Sequence, residues 1–170
     1  MFSFKTINKL INLGPLIFLY YLCISEIDSH FENYFEILSF NIQLIIIYFW
    51  VSKRPEALGG GHIFFAGLIN DVVVGFPLGL SSLSYLIVSF VANYVKHMTV
   101  NTRITTDWFT FFIAIFFSNI TLFILLSNFS EIAVSVTEIS YNTFFTLLFF
   151  PFFWFLFTYY NSIITTGKNA

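Results

Sequence analysis

Few residues in this chain combine a reactive side chain with an apolar setting, and Asp71 is the clearest. It stands in "HIFFAGLINDVVVGF", His62 to Phe76, with Gly67 four residues before it and Gly75 four after. That spacing puts Gly67, Asp71 and Gly75 on one face of a helix. A carboxylate so placed can be packed and hydrogen-bonded, can meet a polar group of a partner helix, or can carry an ion or proton. Asn70, Ser81, Ser82 or water are the expected partners in the first role. The third is weakened because intramembrane relays use several ionisable groups, and this run offers one. Hydrolysis would need a second carboxylate, a serine-histidine pair or metal-spaced His and Cys, and none accompanies Asp71 within the run. His30, His62 and His97 fall in three separate segments, so no shared metal and no cofactor are expected.

The surroundings of Asp71 decide what it costs. Of 170 residues 58% are hydrophobic and only 9% charged, against roughly 25% charged in soluble domains, so the chain reads as a membrane protein. Crossing the hydrocarbon takes about 20 residues of helix. On that basis six apolar spans are expected: Leu10 to Ile27, Ile37 to Val51, His62 to Phe76, Pro77 to Val95, Trp108 to Ser127 and Tyr141 to Ile164. The second and third are short. The connecting segments leave no room for a soluble domain, so residues 1–170 are expected to form one integral membrane domain. The fold class is all-α, a polytopic helical bundle. Asp71 lies towards the end of its span, where a charge is cheaper than the 2.5–3.5 kcal/mol, roughly, of the bilayer centre.

Orientation follows from the basic residues. Lys5 and Lys9 precede the first span, Lys53 and Arg54 follow the second, Lys96 and Arg103 the fourth, and Lys168 the sixth. Six crossings put all of them on one side, which makes both termini cytoplasmic, and a re-entrant hairpin for spans three and four gives the same charge pattern. The seven Lys and Arg are scattered, so no basic stripe for nucleic acid exists. Cys23 is the only cysteine and reads as a small apolar residue.

Pro77 fits the first position of the fourth span's helix, and Gly79, Ser82, Ser89 and Ala92 give that helix a small face. Two small faces allow close backbone approach, so spans three and four are expected to form a tight hairpin with Asp71 turned inward. Pro55 should end the second span, with Lys53 and Arg54 at the headgroups and Gly59, Gly60 and Gly61 letting the chain reverse. This loop is either a plain basic turn or a contact surface for a partner. Asn41, Gln43, Asn119 and Thr121 are expected to hydrogen-bond across helices near mid-membrane. Trp50, Trp108 and Tyr34 suit the interfacial aromatic belts, and Trp154 suits mid-span packing.

The stretch from Trp50 through Arg54-Pro55, the glycines and "FFAGLINDVVVGFPLGLSSLSYLI" resembles the MreD family of the bacterial rod-shape system. In that family an arginine-proline turn leads to a Gly-Leu-x-x-Asp helix and then a Pro-Leu-Gly turn. Gly67, Leu68, Asp71, Pro77, Leu78 and Gly79 stand at those positions. The resemblance implies a non-enzymatic, multi-pass protein of the bacterial cytoplasmic (inner) membrane. It implies MreC-like and MreB-like partners, the glycan polymerase and transpeptidase of wall growth, and a fold similar to the substrate-binding subunits of energy-coupling-factor transporters. Arg54, Pro55, Gly67, Asp71, Gly75, Pro77, Gly79 and Ser82 are the expected partner-binding or hairpin-core residues. The rival is a small-molecule binding subunit of a transporter, with an outward-facing polar pocket built from Asp71 with Asn41, Gln43 or Asn119.

Overall fold

The helix at the centre of the bundle is also the shortest. The computed structural model describes residues 4–25, 40–98, 103–129 and 136–166. Its elements are helices α1 (Phe4–Ile24), α2 (Ile42–Lys53), α3 (Gly60–Val74), α4 (Leu80–Met98), α5 (Ile104–Phe129) and α6 (Val136–Thr166), with no strand among the described residues. The α2 sequence "IQLIIIYFWVSK" is apolar on every side, and a helix of that kind has no face to give to its surroundings. Accordingly Gln43 to Ser52 are all buried. Asn41 starts the helix, its side chain accepting from the Leu44 amide at 3.2 Å. Pro55 disfavours helical backbone at Arg54, and α2 stops at Lys53.

Aromatic rings tie α2 to the last two helices. Phe111 of α5 stacks on Phe150 of α6 at 4.4 Å between centroids, and Tyr48 stands edge-on to both at 5.1 and 5.8 Å. Trp50, 2% exposed, packs on Phe157 and Tyr160 of α6. It is therefore a core residue, where the sequence suggested an interfacial belt. Trp108 is half-exposed and donates its indole N–H to the Leu147 carbonyl at 3.0 Å. Tyr34 and His30 lie outside the described residues.

Helix boundaries depart from the expected spans in a consistent way. The α5 and α6 helices are longer than expected, and at about 1.5 Å per residue they measure about 39 and 46 Å. These two are long and apolar enough to cross a membrane. Their outward faces carry Phe112, Phe116, Phe117, Phe144, Phe152 and Phe155, all exposed. In water such a surface would be prohibitive, and in lipid it is the expected one. By contrast α2 and α3 are about 18 and 22 Å long, shorter than the hydrocarbon.

The α3–α4 hairpin also starts differently from expectation. Pro77 does not open α4; it sits in the turn between the helices, and its carbonyl accepts from the Leu80 amide at 3.3 Å. Nor do Gly60 and Gly61 form the reversal before α3. They are the first residues of that helix, Gly59 being its N-cap.

Candidate functional site

Asp71 is completely buried, and its surroundings explain why that is tolerated. The chain leaves α3 at Gly75, whose left-handed φ of 79° suits a glycine, with the Gly75 and Phe76 amides both returning to the Asp71 carbonyl. Five residues later α4 begins, and the amides of its first turn have no partner within the helix. The Asp71 side chain reaches back across the turn to supply one. Oδ2 accepts from the Gly79 amide at 2.7 Å and Oδ1 from the Ser81 amide at 2.8 Å. Gly79 itself takes φ 98°, a backbone state that a side chain would strain. Asp71 is thus an N-cap delivered from the neighbouring helix, and α4's positive N-terminal dipole favours its negative charge.

Small residues close the hairpin below this cap. Gly67 is pressed so tightly on α4 that a Cβ placed there would stand 2.3 Å from Ser82 Cα and 2.5 Å from its backbone nitrogen. The Ser82 hydroxyl donates to the Phe64 carbonyl at 2.9 Å, and the Asn70 side-chain amide donates to Ser81 Oγ at 3.0 Å. The expected partners of Asp71 are therefore present but differently used. Its oxygens take backbone amides, while Asn70 donates to Ser81 and Ser82 to the Phe64 carbonyl of α3. Of the face predicted for α3, Gly67 and Asp71 pack inward, whereas Gly75 is the exposed C-cap. On α4, Ala92 is fully buried and Ser89 half-buried.

A second polar cluster joins α2, α5 and α6, and sequence reasoning missed it. Asp107, 1% exposed, receives Lys53 Nζ at 2.8 Å and the Trp154 indole N–H at 2.9 Å, both on Oδ2. The Lys53 ammonium also lies 5.8 Å from the centre of the Trp154 ring. Lys53 therefore turns back to a buried carboxylate instead of simply marking the headgroups, and Trp154 is a hydrogen-bond donor, not only a packing residue. Next to it, the Tyr48 hydroxyl bonds to Thr110. The available signal was an acidic residue in the first turn of a long apolar helix, which by itself reads as a dipole complement.

The remaining polar residues hold helices together in separate places. The Asn119 amide donates to Thr143 Oγ1 at 2.6 Å, joining α5 to α6, and Ser84 bonds to Ser118 between α4 and α5. Among the described residues Thr121 bonds within its own helix, to Phe117 O. Asn41 caps α2 at its end, while its backbone amide donates to Thr146 at 2.9 Å. Gln43, two residues further on, is buried. The residues of the rival pocket are thus not brought together: Asp71 serves α4, Asn41 serves α2, and Asn119 borders a groove of about 560 Å³ between α5 and α6. Arg54 and Pro55 lie in the half-buried segment between α2 and α3. Three or more His, Cys, Asp or Glu side chains able to hold a metal are found nowhere among the described residues.

A bundle whose two longest helices turn phenylalanine outward, and whose buried carboxylates cap and tie helices, belongs to the integral membrane proteins. The family model for the rod shape-determining protein MreD matches residues 6–161. The chain belongs to the MreD family. Comparisons with curated proteins and with solved structures gave no match.

Proposed function

We propose that the protein is a non-enzymatic scaffold of the bacterial rod or elongation complex, linking MreC-like and MreB-like partners to the enzymes of peptidoglycan synthesis. The observation that carries this is the use made of Asp71. Both of its oxygens are engaged by amides at the start of α4, those of Gly79 just before it and Ser81 within it, so the most unusual side chain of the membrane segment shapes a hairpin. A hairpin with a locked geometry presents a constant surface, and its tip carries exposed Val72 and Leu78. Arg54, Pro55, Gly67, Asp71, Gly75, Pro77, Gly79 and Ser82 either build this hairpin or lead into it. Six crossings of the inner membrane with both termini cytoplasmic agree with the one-sided basic residues. A likeness to the transporter substrate-binding subunits in fold belongs to the same reading.

The test is native mass spectrometry of the protein extracted in mild detergent from its own membranes. MreC-like or wall-synthesis subunits should accompany the wild-type chain and be lost from Asp71→Ala or Gly67→Ala. A lone chain carrying a stoichiometric small molecule would replace the scaffold with a binding subunit.

A further inference from the structure

The two helices of the hairpin begin in opposite conditions. The first-turn amides of α4 are capped by Asp71 and Pro77 O. The N-terminus of α3 has no side-chain cap, and Gly59, Gly60, Gly61 and His62 are exposed. The amides of Gly60, Gly61 and His62 have no partner among the described residues, the first capping-type bond there being Ile63 N–H to Gly59 O at 3.2 Å.

The depth of this bare end follows from helix geometry. Gly67 lies beside Ser82, and Gly60 is seven residues before it, about 10 Å along the axis. From Ser82, α4 continues sixteen residues to Met98, about 24 Å in the same direction. The α3 helix therefore ends about 13 Å short of α4, well inside the bundle. The segment joining it to α2 tucks inward as well, with Leu58 2% exposed and Ala57 packed on the core.

The side of α4 left uncovered has a distinctive composition. At 100° per residue the stripe that meets α3 at Ser82 continues through Leu86, Ser89, Asn93, Lys96 and His97. Leu86 and Ser89 are half-buried, Asn93 and His97 exposed and Lys96 half-buried. Counted from Ser82, Phe90 and Tyr94 stand about 80° and 120° round the helix, just beyond His97, and are 74% and 56% exposed. Large apolar side chains, Leu83, Phe90 and Tyr94, are thus exposed beside the stripe, whereas the stripe itself is polar from Ser89 onward. Non-helical backbone and uncapped amides persist at membrane depth only against protein or water.

We infer that the missing turns of α3 leave a water-filled notch, open to the end that carries Lys53, Met98 and Ile104, bounded by Gly60, Gly61 and His62 above and by Asn93, Lys96 and His97 of α4 alongside. The notch brings solvent to about 10 Å from the Gly67–Ser82 contact. It shortens the hydrocarbon that the hairpin must cross, and it lies on the cytoplasmic side if the basic residues do. The inference needs only that the chain is embedded in a membrane, and stands apart from the scaffold reading.

Cysteine accessibility tests it in the full-length protein. Single cysteines are introduced at Gly61, where an added Cβ meets nothing within 4 Å, and at Asn93, in a Cys23→Ala background. Phe90→Cys, within about 3 Å of the depth of Gly61, is the lipid-facing control. Sealed inside-out vesicles are treated with a charged, membrane-impermeant maleimide. G61C and N93C should react at least about tenfold faster than F90C, a gap of about 1.4 kcal/mol in activation free energy. Reaction of both as slow as F90C means that lipid covers the surface, and the notch is wrong. Reaction only in right-side-out vesicles overturns its cytoplasmic opening.

Discussion

Gly67 and Ser82 meet backbone to backbone, so close that the space a Cβ would occupy on residue 67 is already filled by the Cα and nitrogen of residue 82. The hairpin depends on this contact, because in lipid there is no hydrophobic force between helices and close packing must hold them.

Gly67→Ala should therefore pry α3 from α4. Backbone atoms cannot swing aside as a side-chain tip can, and overpacking of this kind costs about 1–3 kcal/mol. A lowered thermal unfolding midpoint in detergent is expected. Gly60→Ala is the matched control, since a Cβ there meets nothing within 4 Å and alanine is the better helix former. Equal midpoints for the two variants would contradict the close contact.

Asp71→Ala removes the cap of α4 and leaves the Gly79 and Ser81 amides buried without an acceptor. Loss of an N-cap costs about 0.5–2 kcal/mol, and unpaired buried amides add to that. Membrane insertion should be unimpaired, since a charge is removed. Asp71→Asn, which keeps one acceptor oxygen, should fall between. The check is insertion level and unfolding midpoint measured together, and a wild-type midpoint for Asp71→Ala would show the cap to be dispensable.

Lys53→Ala strands the Asp107 carboxylate at 1% exposure, leaving it the Trp154 indole N–H among the described residues. Breaking one side of a buried ion pair costs about 3–5 kcal/mol, and the 18% exposure of Lys53 puts this one at or below the lower figure. Adding Asp107→Ala removes the uncompensated charge. The double variant should recover part of the loss in a double-mutant cycle. If it is less stable than Lys53→Ala alone, the pair is not coupled as the geometry indicates.

The two turn glycines should respond to side-chain type. Gly75 sits at φ 79° and ψ 23°, close to the left-handed region that asparagine tolerates. Gly75→Ala should destabilise by about 1 kcal/mol, and Gly75→Asn by less. At Gly79, φ 98° lies outside that region, so asparagine should give no such relief. Unfolding midpoints of the four variants test this, and equal rescue at both positions would refute the conformational argument.

Much of the hairpin was legible before folding. Gly67 and Asp71 were legible as an inward face of α3, because small residues permit close helix approach, whereas Pro77 and Gly79 were expected within α4 and stand in the turn before it. Of the two partners of Asp71, Ser81 was expected, though through its side chain and not its amide, and Gly79 was not. A sequence shows which side chains are near, and the unpaired amides of α4 become visible only when its first residue is known to be Leu80 and not Pro77. Asp107 escaped notice for a related reason. Its partners Lys53 and Trp154 are 54 and 47 residues away, and nothing local joins them.

Composition and period by themselves determined that the chain is helical and reads as membrane-embedded, and they set Asp71 inside an apolar run. Tertiary structure alone decided that Trp50 is core, that Lys53 folds back onto Asp107, and that α3 stops short beside a polar stripe of α4. The physical reason is that helical periodicity states which residues share a face, whereas only packing states what covers that face and how far along it the cover extends.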